Sequence, residues 1–211
     1  MKFDEDKQEK KDLFVLKIFF YFWVIIIILL YFFPYGRSTG PSMLPTAENR
    51  SYEIYFYHYY DLFEPYYGDI ISFKIKEEEN ELVKRIVGLP GDIIEIRDNK
   101  LFLNNTKIKT KKIKKKSFSI LGKQVSLTIY KEKINPKINY NILKNDNNIN
   151  CVNSKLENLK VSVPKDHLFV LGDNRFCSHD SRDFGPIKKS DINKKLLFFY
   201  KPKSYQSFDW D

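Results

Sequence analysis

The chain has 211 residues, 36 Lys+Arg against 27 Asp+Glu for a formal charge of +9, and 43% hydrophobic residues. That length holds one globular domain with an elaboration and argues against a two-domain enzyme of ordinary size, while the apolar share excludes wholesale disorder. Two cysteines, Cys151 and Cys177, are too few for a disulfide scaffold, and with three histidines (His58, His167, His179) and no C-x-x-C pair neither a metal site nor another cofactor is expected.

The first predicted element is a membrane helix. Residues 13–33 form a run of 21 with Lys17 as the one charge, which as a helix covers about 31 Å against a hydrocarbon core of about 30 Å. Pro34 and Gly36 stop it. The run is too long for the core of a cleaved leader, and Tyr35, Gly36 and Arg37 follow it instead of a small-x-small site, so an uncleaved anchor is expected. Lys2, Lys7, Lys10 and Lys11 precede it, whereas only Arg37 and Arg50 fall in the 20 residues after it. That asymmetry puts residues 1–12 in the cytoplasm and everything beyond residue 33 outside.

The pattern then turns to β. Residues 69–75, 82–87 and 92–97 are short, β-branched and punctuated by Gly and Pro, with the acidic run 77–81 as the tip of a hairpin between the first two. Further strands are predicted at 100–103, 118–121, 124–130, 168–171 and 196–200. The fold class is therefore mostly β: a single N-terminal transmembrane helix followed by an extracytoplasmic antiparallel sheet domain, residues 34–98 and 166–211. Residues 99–165 form a Lys- and Asn-rich insertion, partly hairpin and partly loop. Its stretch 107–116 holds seven lysines in ten residues and reads as a solvated basic face, with contact to anionic headgroups as the alternative; nucleic acid is not expected outside the cytoplasm. The aromatic-rich segment 52–67 fits both core packing and the membrane interface.

Four short blocks carry chemistry: residues 40–46 (GPSMLPT), 68–71 (GDII), 83–92 (VKRIVGLPGD) and 172–186 (GDNRFCSHDSRDFGP). Lys84 interrupts an apolar run beside a second cation, Arg85. Alternation sends the two to opposite faces, so one turns inward; an edge strand with both cations in solvent is the alternative. A lysine acts as a general base only when neutral, and burial lowers its ordinary pKa of about 10.4. Within reach of a serine hydroxyl such an amine makes a nucleophilic dyad, oriented by a hydroxyl or carboxylate. Ser178-His179-Asp180 spells a triad in letters only, because adjacent side chains point apart. His58 and His167 read as structural or solvent-facing, and Asp173 and Asp183 as salt-bridge or turn partners.

In this order the four blocks resemble the type I signal peptidases, membrane-anchored Ser-Lys serine proteases that remove signal peptides from exported proteins. The resemblance implies Ser42 as nucleophile and Lys84 as general base. It implies Ser178 as the hydroxyl that positions the amine, Asp180 and Arg182 as the pair bracing that loop, and Met43 and Val83 as the lining of the pocket for the residue before the cut. The oxyanion region would be Gly40 and Ser42. Many members have a serine where this chain has Gly40, and losing one oxyanion donor costs about 2.7–4 kcal/mol. Phe176-Cys177 stands where Asp-Asn is usual, which alters support of the Ser178 loop, and pairing of Cys177 with Cys151 is left open. The implied partners are signal-peptide-bearing precursors and the lipid bilayer; the implied location is the cytoplasmic membrane, with the catalytic domain on its extracytoplasmic side. The other readings are a tethered basic binding module without protease activity, a specialised paralogue with few substrates, and a repressor-type Ser-Lys autoprotease, for which no DNA-binding helix pair is present.

Overall fold

The computed structural model describes residues 2–76, 80–120, 122–144 and 158–200. It opens on helix α1 (Lys2–Phe32), whose apolar part, Leu13–Phe32, is long enough to cross a bilayer and has none of its length buried against the rest of the chain. The helix begins well ahead of the apolar run, since residues 2–12 are rich in Glu, Lys and Gln, all good helix formers. Pro34, which has no N–H to continue the ladder, ends it.

The strands follow as β1 (Tyr35–Arg37), β2 (Tyr52–Tyr57), β3 (Ile70–Phe73), β4 (Leu82–Gly88), β5 (Ile93–Arg97), β6 (Lys100–Leu103) and β7 (Thr106–Lys107). Then come β8 (Lys109–Ile120), β9 (Lys123–Lys133), β10 (Asn139–Lys144), β11 (Leu159–Ser162), β12 (His167–Leu171), β13 (Ile187–Lys188) and β14 (Ile192–Tyr200). Two one-turn helices, α2 (Tyr59–Leu62) and α3 (Ser181–Phe184), interrupt them. The chain is mostly β, as expected. The principal sheet has the order β1-β2-β14-β3-β4-β12-β13; a second is β10-β9-β8 and a third β11-β5-β6-β7. Paired strands within these sheets run antiparallel.

The lysine-rich stretch is the first strand of a long hairpin. It is an extended strand, β8, in register with β9 from Lys109↔Lys133 to Ile120↔Lys123. The lysines stay exposed along it, and only Phe118 and Ile120 near its end are buried. Of the Asn-rich stretch, residues 139–144 are strand β10 and 145–157 lie outside the described residues, as do 77–79 of the acidic tip.

Three apolar clusters hold the body together. Val87, Ile94, Phe169 and Leu171 join the principal and third sheets and also receive Tyr140 and Ile142 of β10. Leu44, Phe118, Leu127, Leu143 and Phe176 form the second, beneath the turn that carries Ser42. Ile71, Phe73, Ile86, Leu168 and Val170 form the third. The β8–β10 ribbon thus contributes to the packing behind the four blocks. The aromatic segment 52–67 divides: Tyr55 is core, Phe63 and Tyr66 are exposed, and Phe56 packs on Phe32 and Phe33 at the end of α1, with ring centroids 6.5 and 5.0 Å away.

Candidate active site

Ser42 lies in the turn after β1, with Met43 and Leu44 buried beneath it. Asn174 anchors the turn: its backbone N–H donates to the Ser42 carbonyl at 2.9 Å, and its Nδ2 donates to the Pro41 carbonyl at 3.0 Å. Lys84 comes from β4 and is only 2% exposed. Its Nζ donates to Ser42 Oγ at 3.2 Å and to the Val83 carbonyl at 3.0 Å.

β4 is an internal strand, not an edge. β3 pairs with it over Leu82–Arg85, and β12 joins on the other side from Arg85 onward. Lys84 and Arg85 are both buried, so the expectation that just one of them turns inward fails; the sheet is covered on both faces at this point. Arg85 donates through Nε and Nη2 to Asp173 at 2.7 and 2.6 Å and through Nη1 to the Gly68 carbonyl at 2.7 Å. Its guanidinium lies 4.2 Å from the centroid of the Tyr140 ring, and the Thr46 hydroxyl donates to the same Asp173. One buried ion pair therefore ties together all four blocks.

The third support is the loop after β12. Arg182 pairs bidentately with Asp180 through Nε and Nη2, both at 2.8 Å, and spans the loop by donating to the Arg175 carbonyl at 2.8 Å. Asp180 also accepts from the Gly172 N–H at 2.9 Å. Burial alone would raise the Asp180 carboxyl; the Arg182 charge and hydrogen bonds, with the Gly172 N–H and the neighbouring Ser178 hydroxyl, hold it below the ordinary carboxylate range. Ser178 Oγ is itself buried with no well-formed hydrogen bond. It sits against Gly172, where the Ser42 carbonyl also crowds the place a side chain would take. The structure thus puts Ser178 close behind the nucleophile's turn, without a hydrogen bond from its hydroxyl to Lys84. Gly40 has φ +89°, a left-handed backbone that suits glycine and strains a serine.

A cleft of about 210 Å³ runs past Ser42, Met43, Val83 and Lys84 and on to Gly36, Glu53 and Tyr55. The apparent triad dissolves: His179 Nδ1 lies 3.3 Å from Asp183, while Asp180 is committed to Arg182. His58 faces Asp61 and His167 the Lys165 carbonyl. Cys177 is disulfide-bonded, and Cys151 lies outside the described residues. Among the described residues no group of His, Cys, Asp and Glu is arranged to hold a metal ion. Sequence reasoning missed the anchoring role of Asn174, the Arg175–Glu132 pair behind it at 2.5 Å, and the polar side chains of the cleft. Asn174 and Arg175 lay inside a quoted block, while Glu132 did not; Glu53 had only its period-2 spacing from Tyr55 to mark it.

Residues 12–201 match the family described as signal peptidase, peptidase S26. The chain is 33% identical over 171 residues to signal peptidase I of Bacillus caldolyticus, covering 81% of each chain. It is 33% identical over 165 residues to signal peptidase I P of Bacillus subtilis subsp. natto, covering 76% of this chain and 74% of that one. A crystal structure of a signal peptidase I from Enterococcus faecalis V583 aligns with 64% of this chain and 98% of its own, at 24% identity and a TM-score of 0.39. The chain belongs to the signal peptidase family, peptidase S26. Within that family it is a serine peptidase of the signal peptidase I type.

Proposed function

We propose that the chain cuts signal peptides from exported precursors with Ser42 as nucleophile and Lys84 as general base, from an anchor in the cytoplasmic membrane with residues beyond 33 on its extracytoplasmic side. The observation that carries this is the 3.2 Å separation of Lys84 Nζ from Ser42 Oγ at an amine almost wholly removed from solvent. Neutral Lys84 takes the Ser42 proton as Oγ attacks the carbonyl carbon of the scissile bond. The same amine, now protonated, gives its proton to the departing nitrogen, and a water activated by Lys84 resolves the ester. Burial disfavours the ammonium and so favours the form this cycle needs. The Val83 carbonyl holds the amine's direction. Asn174, Arg85 with Asp173, and Arg182 with Asp180 fix the three segments that must meet, and Ser178 supplies a hydroxyl beside them; these are positioning residues. Gly40 and Ser42 border the space for the developing oxyanion. Met43 and Val83 line the pocket for the side chain preceding the cut, and the substrate extends along the β4 edge over Leu82–Val83, where the pairing of β12 has not yet begun.

The test is cleavage of a precursor with an Ala-x-Ala site. Lys84→Ala is expected to lower kcat by about 10²–10⁴-fold, the usual range for loss of a general base, and Ser42→Ala to abolish turnover, both with an unchanged thermal midpoint. The rate of the wild type is expected to rise with pH through the loss of one proton well below the ordinary lysine value of about 10.4. Substantial turnover by Ser42→Ala, or a profile that stays flat until pH 10, defeats the dyad.

A further inference from the structure

The cleft carries an unusual floor beyond the pocket assigned to Met43 and Val83. Gly36 of β1 stands opposite Glu53 of β2, and because Gly36 has no side chain, the Tyr55 ring and the Glu53 carboxyl pack close against it. A Cβ there would sit 3.3 Å from Tyr55 Cε2 and 3.6 Å from Glu53 Oε2. Next along, Ser72 of β3 donates to Glu81 at 2.6 Å, and Lys194 of β14 pairs with Glu81 at 2.8 Å while its ammonium lies over the Tyr55 ring. Ser38 borders the same space. Among these groups Glu53 stands apart. It is 4% exposed, its closest hydrogen-bond partner is the Tyr55 hydroxyl, which donates to Oε2, and no described salt bridge reaches it. Burial pushes its carboxyl above the ordinary range, opposed by the bonds from Tyr55 and Ser38 and by the Lys194 charge. A carboxyl group offers about four lone-pair positions, so the bonds from Tyr55 and Ser38 still leave capacity for a further donor.

An extended substrate alternates its side chains, so the first and third residues before the cut face the same side, about 7 Å apart. If the first fills the Met43–Val83 pocket, the third meets the Gly36–Glu53 floor. We propose that Glu53, with Tyr55, Ser38 and Ser72, forms a polar subsite that selects a small hydroxyl-bearing side chain, threonine or serine, at the third residue before the scissile bond. This inference rests on the dyad reading of Ser42 and Lys84 and adds a substrate preference to it. Size and polarity act together: the whole cleft of about 210 Å³ has to take both side chains, which favours small ones. A valine, equal in shape to threonine, would press a methyl group on the Glu53 carboxyl and remove its access to water without replacing that hydrogen bond.

The experiment measures kcat/KM of the full-length chain in detergent micelles on three precursor peptides that differ only at that residue: Ala, Thr and Val. Thr is expected to exceed Val by about tenfold, the value of one unmet buried hydrogen bond. Glu53→Leu is expected to bring the ratio to one or below, and Glu53→Gln, which keeps size and hydrogen-bonding capacity, to retain most of it. A Thr-to-Val ratio near one in the wild type overturns the proposal whatever the variants do, so misfolding of Glu53→Leu does not protect it. A ratio unchanged in a folded Glu53→Leu also overturns it. Cleavage of all three peptides that vanishes in Ser42→Ala keeps the dyad standing when the preference fails. Absence of any Ser42-dependent cleavage removes the reading of the site, and this inference with it.

Discussion

At Gly172 two loops of the site meet across a single missing side chain. A Cβ built there would lie 2.2 Å from Ser178 Oγ, 2.5 Å from Ser178 Cβ and 2.6 Å from the Ser42 carbonyl oxygen. One of the two loops has to move to admit even a methyl group. Gly172→Ala is therefore expected to cost about 1–3 kcal/mol of stability. Its effect on catalysis should be larger: a displacement near 1 Å at a reacting group costs about 10² in rate. Thermal denaturation and kcat on the Ala-x-Ala precursor check the two halves, and a variant with wild-type kcat would mean that neither loop bears on the chemistry. The backbone at Gly40 makes a related point. Its φ of +89° ties the glycine to the shape of the turn, a local geometry that a serine would strain.

The hairpin of β8 and β9 makes its charged contact with the site through Glu132. Glu132 on β9 is fully buried and takes two bonds from Arg175, at 2.9 and 2.5 Å, and a third from Tyr140 at 2.9 Å. Burial would raise the Glu132 carboxyl, but the charge and hydrogen bonds of Arg175 hold it below its ordinary range. A depressed folded-state value means the unfolded chain takes up its proton first. The stabilisation is complete above the unfolded value of about 4.3 and is lost as pH falls through the folded one. Glu132→Gln is expected to flatten the fall in the urea midpoint below pH 4, and at pH 7 to cost about 3–5 kcal/mol because it strands a buried guanidinium. An acid limb as steep as the wild type's would show that the pair carries no such linkage. This element also shows where legibility ended. Its tip and the centre of β9 were readable from apolar alternation, but the lysine-covered stretch of β8 offers no alternation, because its side chains face solvent and its order comes from the partner strand. Lys84 drew notice because a lysine inside a β-branched run is costly to bury, but the pattern alone left an exposed edge strand open and only the family resemblance paired it with Ser42. Glu53 was not legible: a carboxylate among tyrosines reads as surface until the curl of the sheet brings β1 and β4 to the two sides of one cleft.

On the scale of the whole molecule, α1 and the β body meet with almost no intervening chain: the helix ends at Phe32, β1 starts at Tyr35, and Phe33 rests on Phe56. Removing residues 2–33 is expected to leave a β body that cuts a short soluble peptide at a rate near the full-length chain's, yet cuts a precursor embedded in proteoliposomes about 10²-fold more slowly, the loss that follows when enzyme and substrate no longer share one surface. Equal losses on both substrates would mean that α1 supports the fold and not the encounter. The brevity of the junction has a further effect. With α1 seated in a bilayer, the height of Ser42 above the hydrocarbon boundary is set by ten residues of structured backbone, so the enzyme works as a fixed gauge. Precursors whose target bond emerges too near the lipid, or too far from it, would be passed over even when their side chains fit.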